Sequence, residues 1–90
     1  MFEGQTICRN EDKNQRLKAD RSVSFEQVQE CIVNDRVLDI IQPTNPRYAH
    51  QKQLVIRLNN YIHIVPYVED ENGIFLKTII PQRKKNKLYD

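Results

Sequence analysis

Residues 61–80 read YIHIVPYVEDENGIFLKTII, two apolar runs parted by Glu69-Asp70-Glu71-Asn72-Gly73. Runs rich in β-branched and aromatic residues, joined by turn formers that include an Asn-Gly pair, predict an antiparallel hairpin. The length of the connection is left open by these residues. A tight Asn72-Gly73 turn sets Glu71 opposite Ile74, whereas a five-residue loop sets Val68 opposite Ile74. The choice matters because strand side chains alternate between faces. With the longer loop, Val55, Ile62, Ile64, Val68, Ile74, Leu76 and Ile80 share one face, a nearly clean apolar surface for helices to cover, with Arg57 and Thr78 as polar exceptions. The opposite face then carries Tyr61, His63, Tyr67, Phe75 and Lys77, interleaved with Leu54, Ile56, Leu58, Val65 and Ile79. Such an aromatic and cationic surface suits unpaired bases and phosphates, while strand aromatics serve ordinary sheet packing equally well. One sequence does not decide which face is wet.

Upstream, the runs 54–58 and 61–68 flank Asn59-Asn60, a pair that tolerates the positive φ of a tight turn, so a second hairpin precedes the first and the two make a meander. Residues 37–41 form a short apolar run, stopped by Gln42-Pro43-Thr44-Asn45-Pro46, and a loop of about ten residues follows through Tyr48, His50 and Lys52. Before residue 36 the period is helical. Asn10 is an N-cap for a first helix over 11–20, with Glu11 and Asp12 at its positive end and Lys18 and Arg21 near its last turn. Beyond Leu17 and Ala19 it has little apolar surface, which places it mostly in water. Ser24 with Gln27 makes a capping box for a second helix ending about Asn34, and Val23 staples onto Val28 across the cap. Phe25, Val28, Cys31 and Ile32 give that helix one apolar stripe. The expected fold is α+β: two N-terminal helices, about 11–34, packed on an antiparallel sheet of three or four strands, about 36–80, with a basic tail over 81–90.

Ninety residues support one domain with a single modest core, so any active site is an open surface. Residues 77–90 carry five basic side chains and one acid, a net +4, so the rest of the +2 chain sums to −2. Cations gathered beyond a strand attract a polyanion, although a solvated basic tail has the same composition. No stretch approaches the length of a membrane span and the start lacks the features of an export signal, so the expected location is the cytoplasm, with no membrane partner. Cys8 and Cys31 have neither CxxC nor Cys/His ligand spacing, so neither a metal nor another cofactor is expected, and both thiols are taken as reduced.

Several blocks carry a family resemblance. The blocks Ile74-Phe75-Leu76-Lys77-Thr78-Ile79-Ile80-Pro81-Gln82-Arg83-Lys84 with Lys87 and Tyr89, and Tyr61-Ile62-His63-Ile64-Val65-Pro66-Tyr67-Val68-Glu69-Asp70-Glu71 before them, resemble the C-terminal half of BrnT-like toxins of bacterial type II toxin–antitoxin pairs, relatives of RelE-type ribonucleases. Asn10-Glu11-Asp12-Lys13-Asn14, Val23-Ser24-Phe25-Glu26 and Asn45-Pro46-Arg47-Tyr48-Ala49-His50-Gln51-Lys52 extend the likeness over nearly the whole chain. Where the family often has tryptophan, this chain has Arg9; its usual glycine between the helices is Ser22, its frequent histidine before Pro43 is Gln42, and its usual small residue after the Arg-Lys pair is Lys85.

The resemblance implies a RelE-like fold and a metal-independent mRNA endoribonuclease, acting free or on the ribosome to stop translation. It implies a cognate antitoxin, small and acidic or of the ribbon-helix-helix type. In such enzymes the RNA's own 2′-hydroxyl attacks the neighbouring phosphate, so the protein supplies a base, an acid for the leaving group and cations for the charged intermediate. The catalytic candidates are Lys77, Arg83 and Lys84 for charge, with Arg83 suited to bidentate contact, His63 for proton transfer, and Tyr89, similar to a C-terminal tyrosine used by some relatives. RNA-binding candidates are Tyr61, Tyr67, Lys85, Lys87 and Tyr48. Relatives tend to have tyrosine at position 63, which makes His63 a packing substitute on the other reading; on that reading His50 caps a turn, and Tyr48 and Gln51, which otherwise suit a base, brace their loop. The departures also leave room for a second functional class, a non-catalytic module that binds nucleic acid or protein with the same surface.

Overall fold

The computed structural model describes residues 6–42 and 51–82. Within them the chain order is β1 (Thr6–Arg9), α1 (Glu11–Arg21), α2 (Phe25–Val33), β2 (Asp39–Ile41), β3 (Gln51–Leu58), β4 (Tyr61–Glu69), β5 (Gly73–Leu76) and β6 (Ile80–Pro81). One six-stranded sheet runs in the order β1-β5-β4-β3-β2, and β6 pairs with β4. β1 lies parallel to β5, and the remaining pairs are antiparallel. The expected RelE-like sheet of three or four antiparallel strands is therefore corrected to a larger, mixed one. Thr6-Ile7-Cys8-Arg9 is too short to announce itself as a strand. It is extended because β5 offers it a free edge, in the register Ile7↔Ile74 and Arg9↔Leu76. Lys52, expected in a loop, lies inside β3 opposite Tyr67.

Local chemistry explains the helices. The Asn10 side chain accepts the Lys13 backbone N–H at 3.0 Å and starts α1. Ser24 Oγ accepts from Gln27 N–H at 3.3 Å while Gln27 Oε1 accepts from Ser24 N–H at 3.0 Å, a complete capping box. Only Asn14 and Leu17 of α1 are buried, whereas α2 buries Phe25, Val28, Cys31 and Ile32. Ser22 ends α1 in the left-handed region, φ 56° and ψ 30°, a conformation that costs a non-glycine residue about 1 kcal/mol. No helix among the described residues is long and apolar enough to cross a membrane.

The hairpin at residues 59–60 forms with both asparagines at positive φ, 52° and 63°, so Leu58 pairs with Tyr61. The following connection has neither of the two lengths considered from sequence. Glu69 pairs with Ile74, and Asp70 N–H donates to the Gly73 carbonyl at 2.9 Å. Asp70 Oδ1 accepts from the N–H groups of Asn72 and Gly73 at 2.8 and 3.0 Å, an Asx turn that stabilises this tighter register. The difference from the longer loop is one residue, and one residue turns a strand over. Ile74 and Leu76 therefore share a face with Val65 and Tyr67, and that is the face packed with Phe25, Val28 and Ile32 of α2. The expected assignment of faces is corrected accordingly. Val55, Ile62 and Ile64, on the far face, are buried as well, which is why the apolar pattern did not reveal the side that α2 covers.

Candidate functional site

The last strand positions the site through a bulge. From Leu76, opposite Tyr67, to Ile80, opposite Ile64, the chain advances 80 − 76 = 4 residues while β4 advances 67 − 64 = 3. The extra residue bends the strand and changes which side chains point inward. Ile79 turns into the core and is fully buried, while Lys77 is exposed, its backbone N–H held by the Pro66 carbonyl at 2.8 Å. β1 pairs only with residues 73–76, so past Leu76 the outer edge is free. There α1 lies alongside, and Arg21 Nη1 donates to the Ile79 carbonyl at 3.2 Å.

A groove runs between this bulge and α1. Its main cavity, about 690 Å³, has Phe75, Lys77 and Pro66 on the sheet side and Lys13 and Arg16 on the helix side. A smaller cavity of about 380 Å³ shares Lys13, Arg16, Thr78 and Ile80 and adds Arg21 and Asp20. Lys13 and Arg16 are three residues apart and so lie on one helix face. Among the described residues no ion pair involves Lys13, Arg16 or Lys77, so their charges act on the groove itself, tempered by Asp12 and Asp20. Unpaired cations lining one concave surface raise the local concentration of anions.

The other predicted residues fare differently. His63 is 6% exposed and lies on the helix-covered face, with the sheet between it and Lys77. A carbonyl only accepts, so the 2.8 Å contact to the Tyr61 carbonyl places a proton on Nδ1. Burial holds the imidazole pKa below its ordinary value, and that bond opposes the effect. The Tyr61 ring stands edge-on to His63 at 5.7 Å. Tyr67 is 1% exposed, and burial followed by the Glu69 charge pushes its hydroxyl up to about 12. His63 and Tyr67 thus pack the covered face, with Tyr61 half-buried on the same side, so the three do not form the open RNA-binding surface expected of them. Phe75 is the member of that expected set that stays beside Lys77 at the surface, 37% exposed. Tyr48, His50, Arg83, Lys84, Lys85, Lys87 and Tyr89 lie outside the described residues.

Lys13 and Arg16 were missed from sequence because α1 read as a solvated helix. Their spacing was visible, but their approach to Lys77 depends on β1, which was not. A second polar cluster is structural. Glu26 accepts from Asn14 at 3.0 and 3.1 Å, Lys18 at 3.1 Å and Arg9 at 3.2 Å, and Arg9 also reaches Gln29 at 2.6 Å and Glu11 at 3.3 Å. The Asn14 amide foremost, then the Glu26 backbone N–H, pull its carboxyl down to about 2. Arg9 therefore ties the end of β1 to both helices. No group of three His, Cys, Asp or Glu among the described residues is arranged to hold a metal ion. Comparisons with protein-family models, with curated proteins and with solved structures give no match for this chain.

Proposed function

We propose that this chain is the toxin half of a type II toxin–antitoxin pair and acts on RNA in the cytoplasm, as an endoribonuclease that stops translation. The observation that carries the reading is the groove in which exposed Lys77 faces Lys13 and Arg16, three cations free to meet consecutive phosphates. The family resemblance at 74–84 supports the choice of RNA, since it includes Lys77 and leads into Arg83 and Lys84. Cleavage by the substrate's 2′-hydroxyl needs cations beside the phosphorus, where negative charge builds, and Lys77 at the bulge supplies one as a fixed positive charge. A small antitoxin with an acidic segment neutralises the toxin by filling the same groove.

A second reading, a binding module without catalysis, is favoured by one observation: the expected proton-transfer group, His63, is buried behind the sheet. Induced expression in bacteria separates the two. Growth arrest with new 5′-hydroxyl ends on mRNA is expected for wild type, and its loss in Lys13→Ala/Arg16→Ala/Lys77→Ala protein that still melts cooperatively. RNA binding with no cleavage, alone or on ribosomes, selects the binding module. Failure to bind RNA at all removes the endoribonuclease and leaves the module only DNA or a protein as its partner.

A further inference from the structure

The groove holds one feature that phosphate binding leaves unused. Phe75 presents its ring beside Lys77, in the same cavity as the apolar side chains of Pro66 and Ile80. It is one of three large hydrophobic residues exposed among those described, and of these the one inside the cationic groove. A sheet gains nothing by leaving a phenylalanine in water, whereas an aromatic face flanked by cations matches a nucleotide: ring against base, cations against phosphates. From this we infer that Phe75 is a stacking platform for a single unpaired base, which makes the substrate class single-stranded RNA rather than duplex. The inference rests on the RNA reading of the groove given above.

Geometry argues the same way. The cavity of about 690 Å³ falls in the size range of small-molecule sites, room for one nucleotide and not for a helix. In an A-form duplex the base faces are taken up by stacking with their neighbours, so no ring is free to meet Phe75. Gln51 lies in the same cavity, and its amide both donates and accepts, the equipment for touching the edge of the seated base. An apolar peptide fits Phe75 and Pro66 but leaves Lys13, Arg16 and Lys77 without counter-charge.

The test uses an RNA hexamer carrying 2-aminopurine and the same sequence as a blunt duplex. Wild type is expected to quench the probe and to bind the hexamer more tightly than the duplex. Phe75→Leu keeps an apolar side chain but loses the ring, and is expected to weaken hexamer binding about 5- to 160-fold with quenching lost. Phe75→Tyr is expected to retain both. Equal affinity of wild type for hexamer and duplex, a comparison that needs no substitution, overturns the inference, as does hexamer binding by a folded Phe75→Leu protein that equals wild type. In either case the phosphate-gripping role stands; only a wild type that binds neither RNA removes that role as well.

Discussion

Replacing Asn14 by aspartate changes one amide nitrogen to oxygen at the most connected buried polar group, and its consequence depends on pH in a predictable way. Asn14 is fully buried; its Oδ1 accepts the Phe25 N–H at 2.8 Å, and its Nδ2 donates to Glu26 at 3.0 and 3.1 Å and to Glu11 at 3.1 Å. In Asn14→Asp the Phe25 contact survives, but an anion now faces two carboxylates. Two unit charges at that distance repel by about 5 kcal/mol at an effective dielectric constant near 20. Glu26 is 45% exposed at its side chain, so water screens the pair and about 3 kcal/mol remains. The folded protein relieves this by binding a proton once that is cheaper. Starting from an ordinary Asp pKa of about 3.9, a penalty of about 3 kcal/mol raises the pKa of the pair to about 6. The sign follows: a carboxyl whose folded pKa is raised gains stability as pH falls. The deficit against wild type should thus be about 3 kcal/mol at pH 7 and shrink by about 1.4 kcal/mol per unit between about pH 6 and pH 4. Wild type behaves oppositely, because Glu26 is held at about 2, well below its ordinary value, and its contribution is lost only as pH falls from about 4.5 toward 2. Urea denaturation at pH 7, 6, 5 and 4 measures both. Asn14→Ala serves as the control: it orphans the Phe25 N–H, for a loss of about 1–3 kcal/mol with no such recovery. An Asn14→Asp protein as stable as wild type at pH 7, or equally impaired at pH 7 and pH 4, would refute the argument.

Other outcomes follow from single features. Lys77→Ala should lower the slope of log affinity against log salt for single-stranded RNA by about 0.7, one phosphate contact, measured by fluorescence titration from 50 to 200 mM salt. Ser22→Gly should stabilise the protein by about 1 kcal/mol, raising the melting temperature by several degrees, because Ser22 is held at φ 56°. Gly73→Ala puts a methyl group into the Thr6 carbonyl, so the β1 amides should lose hydrogen-exchange protection while those of β3 keep theirs. The buried, neutral His63 has its pKa below 6.5, so the unfolded chain takes up its proton first and stability should fall as pH drops below about 6.5; in His63→Gln that loss should vanish from denaturation curves.

Features written in neighbouring residues were legible. The caps at Asn10 and Ser24, the mostly wet α1, the apolar stripe of α2 and the Asn59-Asn60 hairpin all depend on contacts within a few positions of each other, and the chain forms them as read. Ser22, between the helices, is held in the left-handed region. Legibility of the site was partial. The candidate Lys77 and its face-mate Phe75 stand together in the groove, yet His63 and Tyr67, placed with them by the same parity, are buried on the face that α2 covers, with Tyr61 half-buried at its margin. A single residue of register at 70–73 separates the two outcomes, and the Asp70 side chain, by capping the turn, sets it.

By itself, then, the sequence determined where helices begin, where hairpins turn and that cations gather toward its end, since propensity and capping act over a few residues. Tertiary structure alone decided that Thr6–Arg9 becomes a strand, which sheet face α2 covers, and that Lys13 and Arg16 meet Lys77. Strand pairing and face selection are settled by partners distant along the chain, and apolar residues on both faces of β3 and β4 leave the local pattern unable to choose between them.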